Sequence, residues 1–279
     1  MCAVNLVVQG PAMTAEQAND LARLAGSTRI HKIAERAWRI QGAAPTNEIA
    51  PYCEKARIDY GFVPDGTRFA DLKLLAMDMD STLITIECID ELGDFAGCKT
   101  EIASITAQAM RGELDYPQSL RKRVGLLAAL PENSLLRVYE ERLKLTLGAE
   151  QLIAACKKHG VKLLLVSGGF TFFTDRLKER LGIDYTISNR LEVAGGKLTG
   201  QVLGDIVDAE AKAAKFREVM KELGARREQT VAIGDGANDL KMMAEAGVSV
   251  AFHAKPVVRE QASCAVTYGG LDAVINLFE

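Results

Sequence analysis

Apolar and polar positions follow two rhythms along this chain, and the change falls at the turn signal Pro64-Asp65-Gly66. Upstream, residues 3–8 read as a strand, and a helix is predicted from Thr14, with Gln17 three positions on in capping-box spacing. Residues 30–40 read as a segment ending in a strand, and residues 47–58 as a second helix. Downstream, residues 72–77, 162–166, 230–233 and 248–252 are short apolar runs. They are too continuous for half-exposed strands, so buried parallel strands are predicted. Helical stretches at 149–159, 171–181, 209–223 and 237–246 lie between or beside them, and the alternation predicts a doubly wound α/β sheet. Residues 86–147 are helix-like without a convincing strand and too long for a simple crossover, which predicts an inserted helical cap. Residues 191–202 alternate around Gly195-Gly196 and predict a β-hairpin projecting from the sheet. The expected organisation is a small α+β domain over 1–70 and an α/β domain over 71–279, with the cap at about 86–147.

Composition narrows the function classes. The 279 residues are 48% hydrophobic and 25% charged, enough for a sizeable core and incompatible with wholesale disorder. Lys and Arg number 34 against 37 Asp and Glu, a net charge of -3 with no basic block, so nucleic-acid binding is not expected. No apolar run approaches the roughly 20 residues of a membrane helix, and no secretory signal is evident; a cytoplasmic protein without a membrane partner is expected. Cys2, Cys53, Cys88, Cys98, Cys156 and Cys264 form no C-x-x-C pair and read as reduced thiols. His31, His159 and His253 have no partners at metal or triad spacing.

Chemistry concentrates at the predicted strand ends, where open α/β sheets bind ligands. The first run leads into Asp78-Met79-Asp80-Ser81-Thr82, two carboxylates that can divide nucleophilic and proton-transfer work, or else cap a turn. The third ends in Gly234-Asp235-Gly236-Ala237-Asn238-Asp239, and two acidic groups on one sheet edge suggest a Mg²⁺ site. Between them, Ser167-Gly168-Gly169-Phe170 offers a hydroxyl and amides to a phosphate oxygen, unless Ser167 merely caps the next helix. Lys212 is a candidate to neutralise a phosphoryl group, though taken alone it reads as a solvated lysine.

In this order, Asp-x-Asp-x-Thr, Ser, Lys and Gly-Asp-x-x-x-Asp resemble the haloacid dehalogenase superfamily of phosphatases. The stretches Glu87-Cys88-Ile89-Asp90-Glu91, 109–116, 119–124 and 167–173 are similar to its bacterial phosphoserine phosphatases, over about residues 72–270. That resemblance implies hydrolysis of O-phosphoserine to serine and phosphate through an aspartyl phosphate on Asp78, the last step of serine biosynthesis. It makes Asp80 the general acid and then base. Asp78, the Asp80 backbone carbonyl and Asp235 would hold Mg²⁺, with Asp239 supporting them or orienting Lys212. Ser167, Gly168 and Lys212 would bind the phosphoryl oxygens, and Asn238 the phosphate or the attacking water. Glu87 would receive the substrate ammonium and Arg123, with Arg121 as the alternative, the carboxylate. Met110 and Tyr116 would close an apolar lid.

Other readings stay open at this level. A different small-phosphomonoester phosphatase, or a phosphotransferase to an alcohol such as homoserine, would use the same strand-end groups. A phospho-receiver domain would store phosphate on Asp78, but Asp80 as a base two residues away would shorten the life of that state. The N-terminal unit loosely resembles ferredoxin-like regulatory domains that bind amino acids, so it reads either as a serine sensor or as a packing or dimerisation unit. A homodimer is compatible with the sequence and not specified by it.

Overall fold

The computed structural model describes residues 4–279; Cys2 and Ala3, the latter expected to open the first strand, lie outside the described residues. The chain begins β1 (Val4–Gln9), α1 (Ala15–Leu24), β2 (Arg29–Ala34), β3 (Ala37–Gln41), α2 (Ile49–Ala56) and β4 (Asp59–Pro64). Thr14 caps α1 in a reciprocal box with Gln17, as its spacing predicts. Residues 30–40 are a hairpin rather than one segment ending in a strand, because β2 is almost wholly exposed and shows no apolar face to read.

Beyond the turn at residues 64–66 come β5 (Leu74–Asp78) and the helices α3 (Cys88–Ala96), α4 (Lys99–Met110), α5 (Tyr116–Gly125) and α6 (Asn133–Arg137). Then follow α7 (Ala149–His159), β6 (Lys162–Phe170), α8 (Thr171–Leu181), β7 (Tyr185–Ala194) and β8 (Lys197–Leu203). The chain continues with α9 (Ala209–Glu222), β9 (Thr230–Gly234), α10 (Leu240–Glu245), β10 (Val248–Phe252), α11 (Pro256–Gln261) and β11 (Cys264–Val266). The expected projecting hairpin is β7–β8. Its first arm starts earlier than predicted and joins the main sheet parallel to β6, since Tyr185–Arg190 is half-buried and carries no continuous apolar run.

All the strands form one sheet in the order β2-β3-β1-β4-β11-β10-β9-β5-β6-β7-β8. Strands β11, β10, β9, β5, β6 and β7 run parallel, and β4 pairs antiparallel with β11, so the N-terminal sheet continues the catalytic one. Alternate residues of the central strands serve two apolar layers. Leu75, Met77, Leu163, Leu165, Val231 and Ile233 pack with α7, α8 and the cap, while Leu74, Ala76, Leu164, Val166 and Ala232 pack with α9 and α10. Coverage on both faces is why these strands read as unbroken apolar runs. Leu6, Val8, Leu21, Trp38, Ile40, Ile49 and Cys53 form a separate core under the first four strands.

Polar ties fasten that unit to the rest. The buried Asp59 carboxylate accepts from Thr267 N (2.6 Å), Tyr268 N (3.0 Å) and Gly269 N (2.7 Å). Buried Arg39 donates to Phe278 O (2.7 Å) and pairs with Glu279 (2.8 Å).

Candidate active site

Strand β5 has β6 on one side and β9 on the other, so the chain reverses direction across the sheet there and opens a crevice at the strand ends. β5 delivers Asp78, and the wide turn Met79–Leu83 follows at once. Ser81 sits in it at φ 56°, a left-handed conformation that costs a non-glycine residue roughly 1–2 kcal/mol. Its Oγ donates to Glu87 Oε1 at 2.6 Å, one contact that offsets this cost. The turn separates the two carboxylates. Asp78 Oδ1 accepts from Lys212 Nζ at 2.6 Å, whereas Asp80 Oδ1 accepts from the Cys88 amide at 2.8 Å and Asp80 Oδ2 from Ser167 Oγ at 3.3 Å.

Lys212 is no surface lysine. It lies in the first turns of α9, whose N-cap Asp208 accepts from Glu210 N and Ala211 N, and it is 1% exposed. Its Nζ also donates to Asp239 Oδ1 at 2.8 Å. Burial alone would lower its pKa, but Asp239 and Asp78 outweigh that and raise it. Burial pushes Asp78 well above the usual carboxylate range against the pull of Lys212, and burial with the Asp239 charge brings Asp235 up to about 6.

Carboxylate oxygens of Asp78, Asp235 and Asp239 lie within 4.8 Å of one another. Three carboxylates against one ammonium leave a formal charge of two minus on oxygen donors alone, which suits a hard divalent cation. Gly234 is required at the end of β9, because a Cβ there would overlap the Asp239 side chain.

β6 runs on through Ser167, Gly168 and Gly169 to Phe170, so Ser167 does not cap α8. Its Oγ instead accepts from Gly169 N at 2.8 Å and reaches Asp80. The cap rests on this segment through Tyr116, whose hydroxyl donates to Gly168 O at 3.0 Å; burial raises its pKa to about 12. A Cβ at Gly168 would strike that hydroxyl. Glu87 immediately precedes α3. Although the residue as a whole is exposed, desolvation of its carboxylate and the nearby Asp80 raise its pKa to about 7.

The remaining sequence candidates are less tightly built. Arg123 is half-buried on α5 with Nε 3.4 Å from Ser119 O, while Arg121 is exposed. Asn238 is half-buried in the turn after Asp235. Met110 departs from the expected apolar lid: α4 ends there, leaving it 63% exposed with Sδ 3.7 Å from Lys255 Nζ. The sequence reading missed the Cys88 amide, which no side-chain letter announces, and Asn189, whose Nδ2 donates to Gly168 O at 2.8 Å.

Comparison with known proteins identifies this arrangement. The family model for haloacid dehalogenase-like hydrolases matches residues 75–244, and a domain of unknown function (DUF4072) matches residues 6–49. A phosphoserine phosphatase from Polaromonas sp. is 56% identical over 215 residues, 75% of this chain and 91% of that protein. The chain belongs to the phosphoserine phosphatases of the haloacid dehalogenase-like hydrolases. The crystal structure of a probable phosphoserine phosphatase from Vibrio cholerae, in unliganded form, superposes with a TM-score of 0.85 at 40% identity, covering 98% of this chain and 85% of that one. A phosphoserine phosphatase solved as a phospho-aspartyl intermediate analogue superposes with a TM-score of 0.70 at 41% identity, covering 75% of this chain and 99% of that one. An analogue of a phospho-aspartyl intermediate is thus recorded for that homologue, and this chain is a hydrolase of the same family. None of its helices is long and apolar enough to cross a membrane, among the described residues.

Proposed function

We propose that this enzyme hydrolyses O-phosphoserine to serine and inorganic phosphate in two in-line transfers at Asp78. The observation that carries the reading is the division of labour between two carboxylates of one turn. Asp78 is paired with a buried lysine beside two more carboxylates, and Asp80 is held away from them by an amide and a hydroxyl. An Asp78 oxygen forms a bond to phosphorus as the bond from phosphorus to the serine oxygen breaks. Asp80, whose pKa burial raises, is suited to give that oxygen its proton. Water then attacks the aspartyl phosphate and gives its proton to Asp80, phosphate leaves and the Asp78 carboxylate is restored.

Ser167 Oγ, the Gly168 segment and Lys212 would hold the phosphoryl oxygens, and Asn238 the phosphate or the incoming water. Glu87 and Arg123 would take the ammonium and carboxylate of the serine moiety, with Tyr116 above them and Met110 at the rim. Asp78, the Asp80 carbonyl and Asp235 would hold Mg²⁺, with Asp239 supporting, and the bound ion would neutralise charge on the transferring group. The core from Leu6 to Ile58 supports a small domain within 1–70, which Val7, Val63 and Phe69 join to the main core of a second domain at 71–279, and the helices α3 to α6 between β5 and β6 support a cap inserted at about 86–147.

The test is phosphate release from O-phospho-L-serine with Mg²⁺, beside phosphothreonine, phosphoethanolamine and a sugar phosphate, with Asp78→Asn as blank. A strong preference for phosphoserine over phosphoethanolamine, which lacks the carboxylate Arg123 would bind, supports the assignment. Equal turnover of all four, or none, removes the substrate claim.

A further inference from the structure

We propose that Asn189 is a positioning residue that holds the Gly168 carbonyl as the cap's docking point and keeps the two phosphate-binding elements in register. The proposal rests on the assignment of Ser167, Gly168 and Lys212 to the phosphoryl group. Its origin is a break in the sheet. Backbone pairing of β6 with β7 is regular from Leu164 to Val166 and resumes only at Phe170 opposite Asn189. The intervening Ser167-Gly168-Gly169 is thereby released from the ladder to face the crevice, and the Gly168 carbonyl needs another donor.

Asn189, 1% exposed, supplies it: its Nδ2 donates to Gly168 O at 2.8 Å, and its Oδ1 accepts from Val207 N at 2.8 Å. The orientation of the amide is forced, because a carbonyl can only accept and a backbone N–H can only donate. Val207 adjoins Asp208, the N-cap of α9, and the Lys212 amide donates to Asp208 O at 3.0 Å. One buried amide thus ties the Ser167-Gly168 segment to the start of the helix that carries Lys212. The same Gly168 carbonyl receives the Tyr116 hydroxyl at 3.0 Å, so the cap's resting place depends on what Asn189 fixes. An apolar side chain of similar size serves neither neighbour, and a carboxylate serves only the Val207 amide.

The experiment is a double-mutant cycle on the full chain with Mg²⁺, pairing Asn189→Leu with Tyr116→Phe. It is read on O-phosphoserine and on p-nitrophenyl phosphate, together with inhibition by inorganic phosphate. Asn189→Asp, which keeps an acceptor for Val207 N, replaces the leucine variant if circular dichroism shows the latter unfolded. Misplacement of reacting groups by about an ångström costs on the order of 100-fold, so the Asn189 variant should lose roughly 10- to 100-fold in kcat/KM and bind phosphate more weakly. Tyr116→Phe should cost several-fold in the wild type and less than about twofold in the Asn189 background, because its acceptor is already displaced. Costs that multiply independently, or unchanged phosphate inhibition, would overturn the proposal. Loss of thermal stability alone, with kinetic constants intact, would overturn it too. A wild type active on p-nitrophenyl phosphate but not on O-phosphoserine overturns the substrate assignment while the cycle still reports on Asn189; inactivity on both overturns both.

Discussion

Replacing Lys212 by methionine keeps the length of an apolar stem and deletes the ammonium that sits 2.6 Å from Asp78 and 2.8 Å from Asp239. What remains is three carboxylates with oxygens within 4.8 Å of one another and no cation among them. Removing one partner of a buried ion pair costs about 3–5 kcal/mol, because the other charge stays buried and uncompensated. Here the lysine serves two carboxylates and is 1% exposed, so the upper part of that range applies in metal-free buffer. The strain has an outlet in protonation. Asp78 and Asp235 already stand above their unfolded values, and Lys212 is a lowering influence on both, so its removal raises both further. A carboxyl raised on folding binds more protons folded than unfolded, so it destabilises at high pH and the penalty fades as pH falls through the folded value. Asp235 stands at about 6 with the lysine in place. The gap between wild type and variant should therefore be widest near pH 8 and shrink steadily to pH 5.5. Urea unfolding in EDTA at those two pH values measures it, and millimolar Mg²⁺ should recover part of the loss at pH 8. A penalty below about 1 kcal/mol, or one equal at both pH values, would refute the charge balance described for this site.

Three further outcomes follow from the same geometry. Because Glu87 titrates at about 7, kcat/KM for O-phosphoserine should decline as pH falls below that value and the ammonium loses its partner. Glu87→Gln should be about 10- to 100-fold slower at pH 8, and a pH profile that kept the same acid limb would reject the assignment. Cys88→Pro removes the amide that donates to Asp80 while suiting the first position of α3, since Glu87 before it is already extended. In a single turnover, serine release from O-phosphoserine should slow at least about tenfold while the burst of p-nitrophenol, whose leaving group needs no proton, holds; Cys88→Ala, which keeps the amide and loses only a thiol that also contacts Asp80, should lose far less. Asp59→Ala strands three backbone donors at residues 267–269 and should cost about 2–4 kcal/mol in denaturant unfolding, with no effect on KM in the folded protein.

The legible and illegible parts of this chain differ in where their information lies. Helices α7 and α8 match the sequence reading to the residue because Gly148, Gly160 and Gly182 punctuate them with left-handed backbone. The four buried strands announced themselves by needing apolar side chains on both faces. β4 did not: Asp59-Tyr60-Gly61-Phe62-Val63-Pro64 alternates weakly and ends in turn residues, and its second partner, β11, is about 200 residues away. β11 itself is three residues long, too short for any period to show. In the crevice, Lys212, on a helix, stood out from solvated lysines only through the family resemblance, whereas Asp78, Asp80 and Asp235 were readable because acidic letters recur at strand ends. Asn189 was not, because its task is set by a missing rung between two strands, which exists only once those strands are paired.

The junction of β4 with β11 also decides where this protein could stick to itself. Without β4, the outer rim of the catalytic sheet would be Cys264-Ala265-Val266, a short uncharged ribbon with free amides and carbonyls. Gly61 fits there because a side chain at that point would collide with the Cys264 sulfur. Annexing four strands moves the open rim to β2, where Arg29, His31 and Lys32 are spaced along a ribbon that repels its own copy. A chain trimmed to begin at Asp71 would keep every group proposed for catalysis and yet uncover a template for strand addition. Its first failure would then be loss of solubility, with the chemistry intact in whatever fraction stayed dispersed.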